Sequence, residues 1–562
     1  MISVSGHSWE EISINNRIIE KIKSDYGFSN ILSKILVERE FSKIEIDTIH
    51  NELPINNPFL NNPDFEKAIK IINEAINKKS KILIIGDYDV DGCVSTSLLK
   101  NFFKLININA DFYIPNRFND GYGASLGLIK KLIKKKPDLV IMLDCGSNSV
   151  EAVNYLKKNK TQVIIIDHHE IYKPYPNAEC LINPKKNVKY KEFDYLCTAA
   201  LVYFIIDYYI KKKKLNINFE QNLTYVLLAT VCDVMPIRKI NRILALKVLK
   251  KFDIKKNFLF NEIFKIKKFK RLININDFSF LIGPILNSAG RITDANIVVD
   301  LLTSNNLSYK KKIINKLILT NEKRKKIENN SLKEINLKHI MNSTDNVIIE
   351  YKNILNEGLI GIIASKLKDY FNKPSIVLTK IGNNYKASAR STKNFNIGLC
   401  IKKCIDNDLL INGGGHNLAA GFTIKKSKIL DFKAYINKLF DKKNLINKRT
   451  YISKISLSAI NTNFLKDIQN AGPFGFGNTN PVFLLENIRV IKPKILKNKF
   501  VSFFAKSKSS TLLSAISFNL IESAINKEIL FNKNEISLLV QINENFWNNK
   551  KNLQLVVVDV IS

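Results

Sequence analysis

Lys81-Ile82-Leu83-Ile84-Ile85-Gly86 runs straight into Asp87-Tyr88-Asp89-Val90-Asp91-Gly92. The first half is a short, β-branched apolar run of the kind that forms a buried parallel strand. The second half sets three carboxylates within five positions at that strand's carboxyl end, where open α/β sheets hold ligands. Unpaired carboxylates crowded together repel. Either a hard divalent cation lies between them, or they form an Asx-rich turn capping the next helix. The hexapeptide alone leaves both readings open.

The pattern recurs. Asp138-Leu139-Val140-Ile141-Met142-Leu143 leads into Asp144-Cys145-Gly146-Ser147, and Gln162-Val163-Ile164-Ile165-Ile166 leads into Asp167-His168-His169. A further acidic position, Asp233, follows the apolar stretch from Tyr225 to Val231. Strand-like runs that each end in Asp, two of them with Asp or His partners, predict one site on one sheet edge. Imidazole mixed with carboxylate suits Mn²⁺ better than an all-oxygen Mg²⁺ cage.

With 562 residues, the chain is long enough for more than one domain, and 45% hydrophobic content is enough for real cores. The N-terminal residues are too polar for a signal peptide, and no apolar run approaches the ~20 residues of a membrane span. The seven cysteines include no CxxC pair and sit mostly in apolar surroundings, as buried thiols in a reducing compartment do. A soluble, cytoplasmic monomer without a membrane partner is the expectation.

Lys plus Arg number 87 against 51 Asp plus Glu, a net charge of +36 that suits a polyanion. Part of that excess is compositional bias, since Lys, Asn and Ile are all abundant. Runs such as Lys211 to Lys214 and Lys310 to Lys312 read as solvated faces. Arginine is scarce and is the sharper signal.

The expected fold class is α/β. Strand–helix alternation from Lys81 to Leu301 predicts a parallel sheet covered on both faces. Tyr309 to His339, free of Pro and Gly, predicts a long connecting helix. A second α/β block follows from Asn346 to Phe440. The block from Ile452 to Ser562 reads as small and all-β.

These strings resemble a known family. Gly86 to Gly92, Asp144 to Ser147 and Asp167 to His169, in this order, are similar to the DHH phosphoesterase superfamily. Pro115 to Gly123, Gly283 to Arg291, Ser388 to Ser391 and Gly413 to Gly421 extend the resemblance, the last to its DHH-associated domain. Gly472-Pro473-Phe474-Gly475-Phe476-Gly477-Asn478 resembles the opening of the terminal domain in the RecJ exonuclease family. The resemblance implies a DHH catalytic domain at 76–305 after an N-terminal helical segment, 1–75. A connecting helix at 306–342 would lead to a DHH-associated domain at 343–445 and an oligonucleotide-binding-fold β-barrel at 450–562.

The resemblance also implies a single-strand-specific 5′→3′ exonuclease that releases 5′-mononucleotides in DNA repair and recombination. Two Mn²⁺ or Mg²⁺ ions would serve it, held among Asp87, Asp89, Asp91, Asp144, His168, His169 and Asp233, with Asp167 orienting a histidine. Arg117, Arg291, Ser388, Arg390, Gly415 and His416 would hold substrate phosphate, guanidinium groups being suited to it bidentately. A single-strand-binding protein and a helicase are expected partners. The sequence departs from the family in two places: Leu355-Asn356, where a Trp-His pair is common, and Ile285, where Arg is common.

Competing readings are a phosphodiesterase of very short oligonucleotides, cyclic dinucleotides or pyrophosphate, and a non-catalytic DNA-binding module. The terminal block argues against the first, and the complete set of ligand types against the second. Cys400 and Cys404, about one helical turn apart, read as core, and His7, His50 and His339 as structural or exposed. Phe474 and Phe476 fit either base stacking or a turn anchored in a core.

Overall fold

A computed structural model describes residues 1–121, 123–352, 356–440, 448–497, 499–547 and 550–561. The apolar runs before the Asp motifs form the centre of a five-stranded parallel sheet. Its strands are Ile82–Ile85, Ala110–Tyr113, Leu139–Leu143, Gln162–Ile166 and Cys180–Ile182, with Ile82–Ile85 between Ala110–Tyr113 and Leu139–Leu143. Pairing aligns Ile85 with Met142 and Met142 with Ile165. Two residues further on, that register brings Asp87, Asp144 and Asp167 to one level above the sheet. The sheet buries both faces, one in a large core with the helices Pro63–Asn77, Val90–Leu105 and Thr198–Lys212, the other against Leu126–Leu132 and Val150–Lys158.

The alternation ends sooner than its pattern predicts. After Ile182, the chain to Thr303 is helix and loop among the described residues. The apolar stretch 225–231 belongs to the helix Leu223–Cys232, so Asp233 comes from a helix end and not from a strand. Short apolar runs do not distinguish a buried helix from a buried strand.

The connecting helix runs from Leu307 to Glu334, with a short helix Leu337–Asn342 after it. Its first half buries Ile313, Ile314, Leu317 and Ile318 in the parallel-sheet core. Its second half reaches the next domain through Glu328, which pairs with Arg324 at 2.9 Å and with Lys366 at 2.5 Å. That domain has five strands in the order Asn412–His416, Ala419–Lys425, Asn384–Arg390, Ser375–Ile381, Ile348–Lys352, all antiparallel except the last pair.

The terminal block closes into a barrel, because Phe483–Leu496 bonds both Phe500–Lys506 and Ile536–Trp547. The N-terminal residues join it. Ser8–Glu11 pairs with Lys448–Tyr451, and Phe28, Leu32, Ile35, Leu36, Phe41 and Ile46 share one core with the barrel. Among the described residues, no helix is long and apolar enough to cross a membrane.

Candidate metal centre and phosphate pocket

Each carboxylate is aimed by a backbone device written into its own segment. Asp89 is the N-cap of the helix Val90–Leu105 and accepts from Gly92 N–H at 3.1 Å. Asp87 accepts from Tyr88 N–H at 2.8 Å. Gly92 lies against the backbone of Asp87, where a Cβ would fall 2.4 Å from its nitrogen, so only glycine lets the turn close. Asp91 engages the start of a neighbouring helix. Its two oxygens accept from Thr198 N–H and Ala199 N–H, each at 2.8 Å, at the N-terminus of Thr198–Lys212. The carboxylates of the hexapeptide thus cap helices and still converge with the other acidic and histidine side chains.

Asp144, in a left-handed conformation at φ 62°, accepts from the Thr198 hydroxyl at 2.9 Å. His168 Nε2 lies 3.2 Å from Asp233 Oδ2, 3.4 Å from Asp144 Oδ1 and 3.8 Å from Asp91 Oδ2. Asp167 accepts from the amides of Ser147, His168 and His169 and sits 2.8 Å from His169 Nδ1, which fixes that ring. Ligand-capable atoms gather in three groups: Asp87, Asp89 and Asp144; Asp144, His168 and His169; and Asp91, His168 and Asp233. All seven predicted ligands lie in these overlapping groups, and Asp167 stands behind them.

Does this set fit a divalent cation? Asp144 Oδ2 and both ring nitrogens of His168 are buried without a hydrogen-bond partner among the described residues. Burial, with the charges of neighbouring carboxylates, pushes Asp87, Asp91, Asp144 and Asp233 above the usual carboxylate range. Burial and His169 push His168 down to about 3, so it offers a neutral ring. Burial alone would lower His169, but Asp167, Asp87 and Asp233 raise it to about 10. Asp167 is held well below its ordinary value against the cost of burial, mainly by its bond to His169. Mutually repelling buried carboxylates with unpartnered nitrogens and oxygens are the donor set that a divalent cation satisfies. They fit.

The arginines stand beside these groups. The Arg117 guanidinium lies over the ring of Tyr88 at 4.1 Å, and its Nε is buried without a partner among the described residues. Arg291 donates to Gly358 O at 3.2 Å, and burial together with Arg117, Arg324 and Arg390 lowers it to about 10. Arg390 donates to Ser388 Oγ at 3.2 Å; the two alternate residues share one face of Asn384–Arg390. Strand pairing sets His416 opposite Ala419 and Ala419 opposite Arg390, which carries His416 to the same end of its sheet. Gly415 lies on the same edge strand, tight against Ala419 and Ala420. Burial, with neighbouring guanidinium groups, lowers both Arg291 and Arg390, and buried cations gathered in this way call for an anion.

Four residues that no motif in the sequence singles out belong here. Thr198 and Asn183 position Asp144, Asp91 and the His169 backbone, Asn183 through bonds of 2.9 Å to Ser147 Oγ and His169 O. Arg324, on the connecting helix, adds to the guanidinium group. Lys185, paired with Glu170 at 3.0 Å, acts electrostatically on both Asp233 and His416. A single Thr or Lys outside a motif carries no signal by itself. Ile285 is buried in the core, and Leu355 lies outside the described residues.

Three family models match in order: the DHH family N-terminal domain over residues 81–230, the DHHA1 domain over 344–442 and the RecJ OB domain over 453–559. Along its length the chain is similar to RecJ exonucleases, which carry the same DHH-type domains. It is 27% identical to the single-stranded-DNA-specific exonuclease RecJ of Bacillus subtilis over 566 residues, 98% of this chain and 70% of that one. It is also 27% identical to the Haemophilus influenzae protein of the same name, over 88% of this chain and 89% of that one. The crystal structure of RecJ in complex with Mn²⁺ from Thermus thermophilus superposes with a TM-score of 0.82 at 19% identity, covering 99% of this chain and 79% of that one. The Mg²⁺ complex of the same protein superposes at 0.74. The parallel-sheet domain, the second α/β domain and the terminal barrel are therefore the fold that the sequence pattern and its resemblance imply.

Proposed function

We propose that the chain is a metal-dependent exodeoxyribonuclease that degrades single-stranded DNA from a 5′ end, with Mn²⁺ or Mg²⁺ as its cofactor. One observation carries the recognition of a phosphorylated end. Tyr88, between Asp87 and Asp89, has the Arg117 guanidinium stacked on its ring, so an anion-holding group adjoins the carboxylate cluster. A terminal 5′ phosphate held by Arg117, Arg291, Ser388 and Arg390 would leave the next phosphodiester at Asp87, Asp89, Asp144, His168, His169, Asp91 and Asp233. Bidentate guanidinium contacts fix the register of the strand, so each cut releases one nucleotide.

Divalent ions held by that donor set lower the pKa of bound water and stabilise the charge on the attacking and leaving oxygens. The chain's residues do the rest. Asp167 fixes the His169 ring through Nδ1, and Thr198 orients Asp144. Burial, with Arg390 and Lys185, lowers His416, so a neutral ring is available to donate a hydrogen bond to a phosphate oxygen. The barrel adds exposed Phe504 and Phe518, Phe518 packing edge-on against Phe500, as surfaces on which bases stack.

The test compares 5′-phosphorylated with 5′-hydroxyl single strands in the presence of Mn²⁺, using end label and product sizing. The parent should favour the phosphorylated end, and Arg390→Ala should lose about 10- to 100-fold on that substrate alone, as expected for a charged hydrogen-bond set. Equal losses on both substrates would remove Arg390 from the end pocket. Products other than mononucleotides would remove the register argument.

A further inference from the structure

The Gly472–Asn478 motif is docked through its backbone on the segment that follows Asp233, with the Phe476 ring left 49% exposed. The Phe476 carbonyl accepts from Ile237 N–H at 2.8 Å. A Cβ on Gly475 would stand 2.8 Å from Ile237 Cγ1, and one on Gly477 2.8 Å from Pro236 Cβ. Two such close approaches, one of them at φ 72°, explain why this turn needs glycine. Phe474 packs against the core shared by barrel and N-terminal residues.

The other side of the joint is Arg242, which has no exposed surface. Its guanidinium donates to Asn470 O at 3.0 Å, to Ala471 O at 2.9 Å and to Gly472 O, the carbonyls at the end of the helix Thr462–Gln469. Its Nε donates to Thr48 at 3.1 Å. Asn478 closes the turn by donating to Ala471 O and Pro473 O while accepting from Arg39.

What does this joint hold? Asp233 caps the helix Leu223–Cys232, and the turn after it has Schellman pairing: Met235 N–H to Thr230 O at 3.0 Å and Val234 N–H to Val231 O at 3.3 Å. The left-handed position of such a turn is normally glycine; here it is Val234, at φ 56° and 58% exposed. Nothing in that residue's own preference favours the turn, and its side chain packs little. The contacts that begin two residues later, at Pro236 and Ile237, are those of the Gly472–Asn478 motif.

We propose that the Gly472–Asn478 turn, pinned by Arg242, is a positioning element that holds Asp233 in register with His168 and Asp91, so that the barrel completes the metal centre from outside it. This rests on Asp233 being a metal ligand. The residues of the turn act through the loop 234–238 and not by touching metal or substrate phosphate themselves.

Mn²⁺ titration of the metal-free full chain by calorimetry, alongside the Mn²⁺ dependence of nuclease rate, tests this. Gly475→Ala and Gly477→Ala should weaken one Mn²⁺-binding event about 10-fold and leave the other unchanged. Both variants should need correspondingly more Mn²⁺ yet reach the parental rate at saturation. Ile237→Ala, which removes the atom that the new methyl meets, should restore the affinity of Gly475→Ala. Arg39→Met, which loosens the turn from its outer side through Asn478, should shift the same event in the same direction and serves if the glycine variants do not fold. Parental Mn²⁺ affinity in folded turn variants would reduce the motif to a structural joint. Absence of Mn²⁺ binding by the unaltered protein would instead overturn the metal reading itself.

Discussion

Asp144 concentrates the physical problem of the site in one side chain. One oxygen is satisfied by Thr198, the other has no hydrogen-bond partner among the described residues, and Asp87, Asp89, Asp91 and Asp233 all press charge on it. Without a cation, a buried carboxylate in that company destabilises the fold. Asp144→Asn keeps an oxygen for Thr198 and deletes the charge. The metal-free variant should therefore melt later than the metal-free parent, by an amount on the order of 1–3 kcal/mol. In Mn²⁺, the order should reverse, with nuclease activity lost. Scanning calorimetry with and without Mn²⁺ reads both effects; an earlier melt in both conditions would mean that the carboxylate is structural. At this scale the sequence was informative wherever a residue's role depends on its neighbours in the chain. Asp89 as N-cap and Asp167 beside His169 are local. Thr198 is not: it reaches Asp144 across 54 positions, and no spacing announces such a contact.

At the scale of elements, the short helix Lys43–Asp47 shows how a small piece is locked onto a large one. Glu45, 1% exposed, accepts from Arg238 Nε at 2.7 Å, Arg238 Nη2 at 3.0 Å and Lys239 N–H at 2.8 Å, besides its capping box with Ser42. Burial alone would raise this carboxyl, but Arg238 and the backbone donors hold it at about 2. A depressed folded-state value means that the stabilisation is full above the ordinary carboxylate range, near 4.5, and is lost as pH falls towards 2. Glu45→Gln should therefore cost about 2–4 kcal/mol at pH 7 and progressively less at acid pH, because removing one partner strands the other. Urea unfolding at pH 7 and pH 3 checks it; a cost independent of pH would point to packing instead of charge. The connecting helix was legible, since a run without Pro or Gly and with mixed Lys, Glu, Leu and Ile has one periodicity. Its observed end at Glu334 falls short of the predicted His339 because the chain breaks there and restarts as Leu337–Asn342.

For the whole molecule, the decisive arrangement joins the two ends of the chain. Trp9 Nε1 donates to the buried Asp559 at 2.9 Å, Ser5 donates to it at 2.6 Å, and the helices at 30–47 complete the barrel core. A chain starting at Asn51 would expose that core and strip Arg242 and Arg238 of Thr48 and Glu45. We expect its barrel to be cut rapidly under limited proteolysis while the parallel-sheet domain persists, with mass spectrometry locating the cuts after residue 448. A protected barrel in that truncation would show that it folds without its N-terminal half-shell. Strand pairing between residues as distant in the chain as Ser8 and Lys448 leaves no trace in a local pattern.

The sequence by itself determined the parallel sheet, the ordered Asp and His motifs at its carboxyl edge and the long helix that follows. Each of these rests on short-range chemistry: β-branched runs, caps and periodicity. Only the tertiary structure decided that Asp91 caps one helix while facing the centre of another group, that Asp233 arrives from a helix end, and that the Gly472–Asn478 turn grips the loop behind it. Those facts depend on which distant surfaces meet, and burial, not local preference, selects them. The hexapeptide at Asp87 could declare its charge; where that charge converges was settled by packing.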